Sequence, residues 1–92
     1  MKVHMFGTLR SIVGGNKEVE VRLTEQSTVQ EALAQLVRPY PDLERKVFSA
    51  PDQISAGVQV FVNGRSILFL DGLDTRLHED DRLALFPPLA GG

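Results

Sequence analysis

The stretch Asp81-Arg82-Leu83-Ala84-Leu85-Phe86-Pro87-Pro88 decides how this chain folds. Its alternation predicts a strand with Leu83 and Leu85 facing the interior and with Ala84 and Phe86 on the opposite face. Because proline has no N–H to donate and its φ is fixed, the two prolines must end that strand. The stretch therefore predicts a last strand that leaves its sheet through a rigid exit.

Four residues follow the prolines: Leu89, Ala90, Gly91 and Gly92. We expect the chain to end there, in a free carboxylate on two residues without side chains. Such a tail is either an idle, disordered terminus or a thin segment that can enter a narrow active site of a partner. We therefore divide the chain into a domain of residues 1–88 and a flexible tail of residues 89–92.

The same alternation predicts further strands upstream. They cover residues 2–9, 17–23 and 58–62 and a short run at 67–70. Gly14-Gly15-Asn16 and Asn63-Gly64 are turn signals, because glycine and asparagine tolerate positive φ. The first two strands are therefore expected to pair as a β-hairpin.

One main helix is predicted after this hairpin. Its apolar stripe consists of Val29, Ala32, Leu33, Leu36 and Val37, at helical spacing. Either Ser27 or Thr28 can cap it, and Thr28 and Glu31 have the spacing of a capping box. Residues 42–48 are expected to form a second short helix, and residues 49–57 a loop.

The order of these elements predicts an α+β fold. One main helix covers one face of a mixed sheet of about four or five strands, which agrees with the alternation in each strand. In so small a chain, the last strand is best buried beside the first strand and parallel to it. That arrangement is the ubiquitin-like β-grasp.

Composition narrows the classes of function. Apolar residues make up 42% of the 92 positions, which suits one globular domain. A net charge of −2 argues against a nucleic-acid partner. The absence of cysteine excludes a disulfide, a thiol nucleophile and a cysteine metal site. No apolar run predicts a membrane segment or signal peptide, so we expect a cytoplasmic protein.

His4, His78 and the acidic run at 79–81 have no catalytic or metal-loop spacing, so neither an active site nor a metal site is predicted.

Three phenylalanines, Phe6, Phe61 and Phe86, fall on the face opposite the helix. If the last strand lies between the other two, their rings form one apolar patch beside the root of the tail. Exposed patches of this kind mark partner surfaces, although single exposed aromatics are ordinary. Arg10, just beyond the first strand, could add a charged contact at the rim.

These features resemble the ubiquitin-like sulfur carriers of the MoaD/ThiS family, and most closely the small subunit of molybdopterin synthase. The resemblance covers essentially the whole chain. It rests on Phe6 with Leu9-Arg10, the Thr28-Val29 helix start, Val62-Asn63-Gly64, and the ending Phe86-Pro87-Pro88-Leu89-Ala90-Gly91-Gly92.

The resemblance implies a carrier that is not itself an enzyme and binds no cofactor. An E1-like adenylating enzyme would use ATP to activate the Gly92 carboxylate, and a sulfur donor protein would convert it to a thiocarboxylate. The tail would then enter the large subunit of molybdopterin synthase. The family's docking surface would comprise Phe6, Phe86 and Pro87, with an apolar residue after the third-strand turn, here Ile67 or a close neighbour.

Residues 40–57 are a longer segment than the most compact carriers have, and more similar to that of archaeal-type relatives. Some of these are protein modifiers that are joined to lysines through the same terminal glycine. Other relatives serve cysteine biosynthesis or thiolation of tRNA. These functions stay open, as does a plain β-grasp interaction domain with an idle tail, because the fold alone does not choose among them.

Overall fold

The fold is described by a computed structural model for residues 1–88. In chain order its elements are β1 (Lys2–Met5), α1 (Gly7–Ile12), β2 (Glu18–Glu20), α2 (Val29–Val37), α3 (Pro41–Val47), β3 (Phe48–Ala50), β4 (Gln53–Ile54), β5 (Gln59–Val62), β6 (Arg65–Ser66), 3₁₀ helices at Ile67–Phe69 and Gly72–Asp74, and β7 (Leu83–Phe86).

The main sheet has the strand order β2-β1-β7-β5-β6, and β3 and β4 form a separate hairpin. The last strand, β7, lies in the centre, parallel to β1 and antiparallel to β5. With α2 packed on one face of this mixed sheet, the predicted ubiquitin-like β-grasp is confirmed. The antiparallel pairing of β1 with β2 is confirmed as well.

The core lies between the sheet and α2. Leu83 and Leu85 of β7 have no exposed surface, and all five residues of the predicted α2 stripe are buried. Burial of one such leucine side chain stabilises the fold by roughly 1.5–3 kcal/mol. The alternation in β7 therefore leaves the side chains of Ala84 and Phe86 on the opposite face of the sheet.

The start of α2 is fixed by Thr28 and not by Ser27. The Thr28 Oγ1 accepts a hydrogen bond from the Glu31 backbone N–H at 3.3 Å, which satisfies one of the free donors of the first helical turn. Ser27 is buried, and its Oγ accepts from the Thr24 N–H at 2.7 Å.

The first strand is shorter than predicted. It ends at Met5, because Gly7 has a φ of +57° and begins α1, a helix that alternation did not indicate. Leu9 is buried as expected, but from α1. The left-handed backbone of Gly7 turns the chain out of the sheet, and the first turn of α1 then places the side chain of Leu9 in the core.

Two further predictions on local structure were wrong. Residues 49–57 are not all loop, since Phe48 pairs with Ile54 and Ala50 with Gln53 in the β3–β4 hairpin. Residues 67–70 are not a strand, because the Ser66 Oγ accepts from the Leu68 N–H at 3.2 Å and starts a 3₁₀ helix. The turn at Asn63-Gly64 is confirmed by positive φ at both residues.

Candidate partner-binding site

The three phenylalanine rings meet on the face of the sheet opposite α2. The rings of Phe6 and Phe86 are stacked, with centroids 4.3 Å apart and planes 9° from parallel. The ring of Phe61 meets Phe86 edge-on at 5.4 Å and 77°. Both arrangements are the favourable ones for aromatic pairs, each contributing about 0.5–1.5 kcal/mol beyond burial. The sequence-predicted patch is therefore one contiguous cluster.

Strand order explains why these rings meet. Phe6 directly follows β1, Phe86 ends the neighbouring β7, and Phe61 pairs across β5–β7 with Ala84. In that register Phe86 is the diagonal neighbour of Phe61, which an aromatic side chain can reach. The contact thus depends on β7 lying between β1 and β5.

The cluster lines an open apolar groove that extends to the two prolines. Its walls include Ala84, Gln59, Pro87 and Pro88 in addition to the rings. We call this surface the docking groove. All three rings are half-buried, so each packs against its neighbours and still exposes apolar surface to solvent. A groove of this composition is typical of a surface that binds another protein.

Two arginines lie at the rim of the docking groove. The guanidinium of Arg10 is 5.9 Å from the centroid of the Phe6 ring, and its Nε donates a hydrogen bond to the Met5 carbonyl at 3.2 Å. Arg82, the residue before β7, lines the groove and is exposed. Neither forms an ion pair with another residue of the range 1–88. The rim is positively charged although the whole chain carries a net charge of −2.

Ile67 does not belong to the exposed surface. Its side chain is only 5% exposed and packs in the core, so within the prediction of Ile67 or a close neighbour, an exposed neighbour is better placed to contact a partner. Its neighbours Leu68 and Phe69 are 85% and 81% exposed, because the 3₁₀ helix turns them outward while Ile67 faces in. They line a second groove that meets the docking groove at Phe61.

A hydrogen-bond network holds the β5–β6 turn against the start of β7. The Asn63 amide donates to Asp81 Oδ1 at 2.9 Å and accepts from the Arg82 N–H at 2.8 Å. Burial alone would raise the pKa of Asp81, but the hydrogen bonds from Asn63 and the His78 N–H outweigh it and lower that pKa. The network fixes Arg82 at the rim of the groove.

Arg82 was not among the site residues predicted from the sequence, whereas Leu68 and Phe69 are close neighbours of Ile67 and fall within that prediction. The signal for Arg82 was available, since it continues the outward series of Ala84 and Phe86 at a period of two. Leu68 and Phe69 gave no such signal, because their exposure follows from a 3₁₀ turn within a run that is apolar throughout. No helix of residues 1–88 has the length and hydropathy to cross a bilayer, and those residues contain no cluster of potential metal ligands.

The predicted tail residues Leu89, Ala90, Gly91 and Gly92 lie outside the described residues. The boundary between domain and tail at residue 88 stays a prediction. What the structure describes is the root of the tail, where Pro87 is half-buried and Pro88 is exposed beside the docking groove.

The model of the ThiS family matches residues 3–92, which include both the groove and the terminal glycines. The chain belongs to the ThiS family. The resemblance read from the sequence is therefore confirmed at the level of the family.

Two archaeal relatives are similar to this chain in sequence over most or all of its length. Small archaeal modifier protein 3 of Haloferax volcanii is 33% identical over 92 residues, covering 100% of this chain and 98% of that protein. A putative sulfur carrier protein of Archaeoglobus fulgidus is 32% identical over 83 residues, covering 89% of this chain and 90% of that protein.

Solved structures show the same fold. SAMP1 from Haloferax volcanii has a TM-score of 0.85 at 32% identity, with 99% of this chain and 97% of that one covered. A chain of the Amycolatopsis orientalis BexX/CysO complex has a TM-score of 0.83 at 25% identity, covering 99% and 98%. A putative molybdopterin converting factor, subunit 1, from Pyrococcus furiosus has a TM-score of 0.75 at 27% identity, covering 96% and 95%. The family thus comprises small ubiquitin-like proteins named as sulfur carriers or as modifiers.

Proposed function

We propose that this chain is a sulfur carrier whose C-terminal Gly92 carboxylate is adenylated by an E1-like enzyme and then converted to a thiocarboxylate. One observation carries the proposal: the docking groove reaches Pro87 and Pro88, the root of the four-residue tail. A partner bound in the groove would hold the domain while the tail enters its active site. The family match, which extends to residue 92, supports a role for the tail itself.

The chemistry follows from the terminal carboxylate, which is a poor electrophile until it is activated. Its oxygen attacks the α-phosphorus of ATP, pyrophosphate leaves, and an acyl-adenylate forms. A sulfide equivalent from the sulfur donor protein then attacks the acyl carbon, AMP leaves, and the thiocarboxylate remains. ATP is bound by the activating enzyme, so the chain acts as substrate and contributes no catalytic side chain.

Glycine at positions 91 and 92 suits this role for steric reasons. Without Cβ atoms the last two residues fit a narrow channel and can adopt backbone angles closed to other residues. A side chain at either position would widen the tail at the reacting end. The docking groove would then supply most of the binding energy, since phenylalanine is among the residues enriched at protein interfaces.

For the sulfur acceptor, we propose the pterin precursor bound to the large subunit of molybdopterin synthase. This rests on the resemblance of the FPP-to-Gly-Gly ending to that family and on the likeness to the Pyrococcus furiosus protein named as a molybdopterin converting factor subunit. Cysteine biosynthesis and tRNA thiolation are the alternative sulfur routes.

The second candidate function is protein modification, in which a lysine amine takes the activated acyl group instead of sulfur. Two observations favour it: the 33% identity to small archaeal modifier protein 3, and the α3 helix with the β3–β4 hairpin that the longer middle segment forms. In this case the product is an isopeptide bond from Gly92.

The shared first step is tested by ATP–pyrophosphate exchange with the cognate E1-like enzyme. We expect exchange with the full chain and none with a chain that lacks Gly91 and Gly92. Equal exchange with both chains, or none with the full chain, would contradict the proposal and favour a plain interaction domain.

The second step separates carrier from modifier. The adenylated chain is incubated with the sulfur donor, and the product is offered to the molybdopterin synthase large subunit and precursor. Sulfur transfer in a single turnover is the expected result. If peptide mapping of cell extracts instead finds Gly92 joined to lysines and no sulfur transfer occurs, the modifier function replaces the carrier.

A further inference from the structure

Two glycines pack against the prolines at the root of the tail. Gly7 has a φ of +57°, and a Cβ added there would lie 2.7 Å from the Cγ of Pro87 and 3.2 Å from its Cδ. Gly57 has a φ of +85°, and its Cβ would lie 2.9 Å from the Cβ of Pro88 and 3.1 Å from its Cγ. Each proline ring therefore occupies the space that a side chain on its glycine would need.

These contacts are not a general property of glycine in this fold. Gly15 and Gly72 also have positive φ, +80° and +58°, yet a Cβ at either would meet nothing within 4 Å. Their conformations serve turns alone. Gly7 and Gly57, by contrast, combine a left-handed backbone with close approach to a neighbouring ring.

The two glycines belong to segments that are far apart in the sequence. Gly7 begins α1 directly after Phe6, and Gly57 lies between β4 and β5. Gly7 and Gly57 pack against two consecutive residues, Pro87 and Pro88, whose backbone φ angles are fixed by their rings. Two supports on two successive rigid residues determine the direction in which the chain leaves β7.

We propose that Gly7 and Gly57 are positioning residues that set the direction of the tail and thereby the place where the Gly92 carboxylate reaches a bound partner. The inference rests on the proposed function. Four extended residues span at most about 14 Å, so turning the root by about 20° would move the far end by roughly 5 Å. A misplacement of 1 Å can slow a reaction on the order of 100-fold.

The kinetic test compares two pairs of substitutions matched in backbone angle. Gly7→Ala is paired with Gly72→Ala, and Gly57→Ala with Gly15→Ala. Every variant carries the cost of a left-handed alanine, and Gly7→Ala and Gly57→Ala add a close contact with a proline ring, so kcat is measured well below the Tm of the least stable variant. We expect only Gly7→Ala and Gly57→Ala to lower kcat for adenylation, by roughly ten- to a hundredfold, with KM changed less. A similar kcat in all four variants would overturn the proposal.

A double-mutant cycle shows whether Gly7 acts through Pro87. Pro87→Ala removes the Cγ and Cδ atoms that an alanine at position 7 would meet. Gly7→Ala should therefore lower kcat in the parent chain and have no added effect in the Pro87→Ala chain. An equal loss in both backgrounds would show that Gly7 acts by another route and would contradict the assignment.

A third measurement does not depend on adenylation. Because the chain has no cysteine, Ala90→Cys accepts a single nitroxide label, which broadens the NMR signals of amides near the tail. Gly7→Ala and Gly57→Ala should redistribute this broadening over the docking groove, while Gly15→Ala and Gly72→Ala reproduce the parent pattern. If the parent is never adenylated, the proposed function fails, and the label still decides the positioning role. One pattern shared by all variants would overturn that role.

Discussion

The ring of Phe6 stacks on the ring of Phe86 at 4.3 Å, which joins the end of the first strand to the last residue of the central strand. Pro87 follows Phe86 and contacts Gly7, the residue after Phe6. The stacked pair of rings and the first residue of the tail's root are therefore built from the same two chain segments. A partner that binds the rings is held at a defined distance from the point where the tail begins.

Phe86→Ala should weaken partner binding much more than it weakens the fold. The ring is half-buried, and loss of an aromatic hot spot costs about 2 kcal/mol or more of binding free energy, roughly 30-fold in Kd. Calorimetric titration with the E1-like enzyme measures the affinity. Leu85→Ala is the control, because Leu85 is fully buried and its truncation should cost about 2–5 kcal/mol of unfolding free energy. A fall in Tm for Phe86→Ala as large as for Leu85→Ala would place Phe86 in the core.

Arg82→Glu should slow association with a partner whose docking surface has an acidic rim. Long-range attraction acts mainly on the association rate and is screened by salt, with a Debye length of about 8 Å at 0.15 M. Stopped-flow rates should therefore differ from the parent most at low salt and converge at high salt. Arg22→Glu makes the same change of charge beside α2, away from the groove. If it slows association equally, the effect belongs to the net charge and not to the rim.

Alternation was sufficient to predict which residues of the sheet face the core but not where the first strand ends. Leu83, Leu85, Val60 and Val62 are buried where a period of two places them, because a strand with one covered face leaves no other register. The strand predicted at residues 2–9 was too long, because an alternating pattern does not reveal that Gly7 has a left-handed backbone conformation. A glycine's φ depends on what packs around it, here Pro87 from 80 residues away in sequence.

The candidate site divides in the same way. The phenylalanine cluster could be predicted because each ring lies on a strand or directly after one, next to buried residues that set which way it faces. The burial of Ile67 and the exposure of Leu68 could not be predicted from alternation, because successive side chains of a 3₁₀ helix point in directions about 120° apart. The contact of Gly57 with Pro88 joins two segments without periodicity, and only the folded chain shows it.

Thr28→Ala should destabilise the domain by about 1 kcal/mol, because it removes the acceptor for the Glu31 N–H at the start of α2. Urea unfolding gives the free energy directly. Thr28→Ser keeps a hydroxyl and should restore most of the stability. The prediction fails if serine and alanine cost the same, since the hydrogen bond would then contribute nothing.

Asp81 should make stability depend on pH in acid. Its pKa is lower in the folded chain, where hydrogen bonds from Asn63 and the His78 N–H outweigh the opposing effect of burial. The ionised group therefore stabilises the fold fully above the unfolded pKa, near about pH 4, and this contribution is lost as the pH falls through the folded pKa.

Asp81→Asn should remove this dependence. The unfolding free energies of parent and variant should differ most at neutral pH and approach each other in acid, as measured by urea titrations from pH 7 downward. Asp80→Asn removes one negative charge at the exposed neighbour and is the control for the change in net charge. A difference between parent and Asp81→Asn that is constant across this range would show that ionisation of Asp81 does not contribute.

Intact mass spectrometry can detect a thiocarboxylate on Gly92 itself. The chain is co-expressed with its E1-like enzyme and sulfur donor, beside a chain without Gly91 and Gly92. We predict that the full chain gains the mass difference between sulfur and oxygen, that fragmentation places it at the Gly92 carboxyl group, and that the shortened chain gains nothing. A full chain that keeps its unmodified mass in the presence of both active partners would contradict the account.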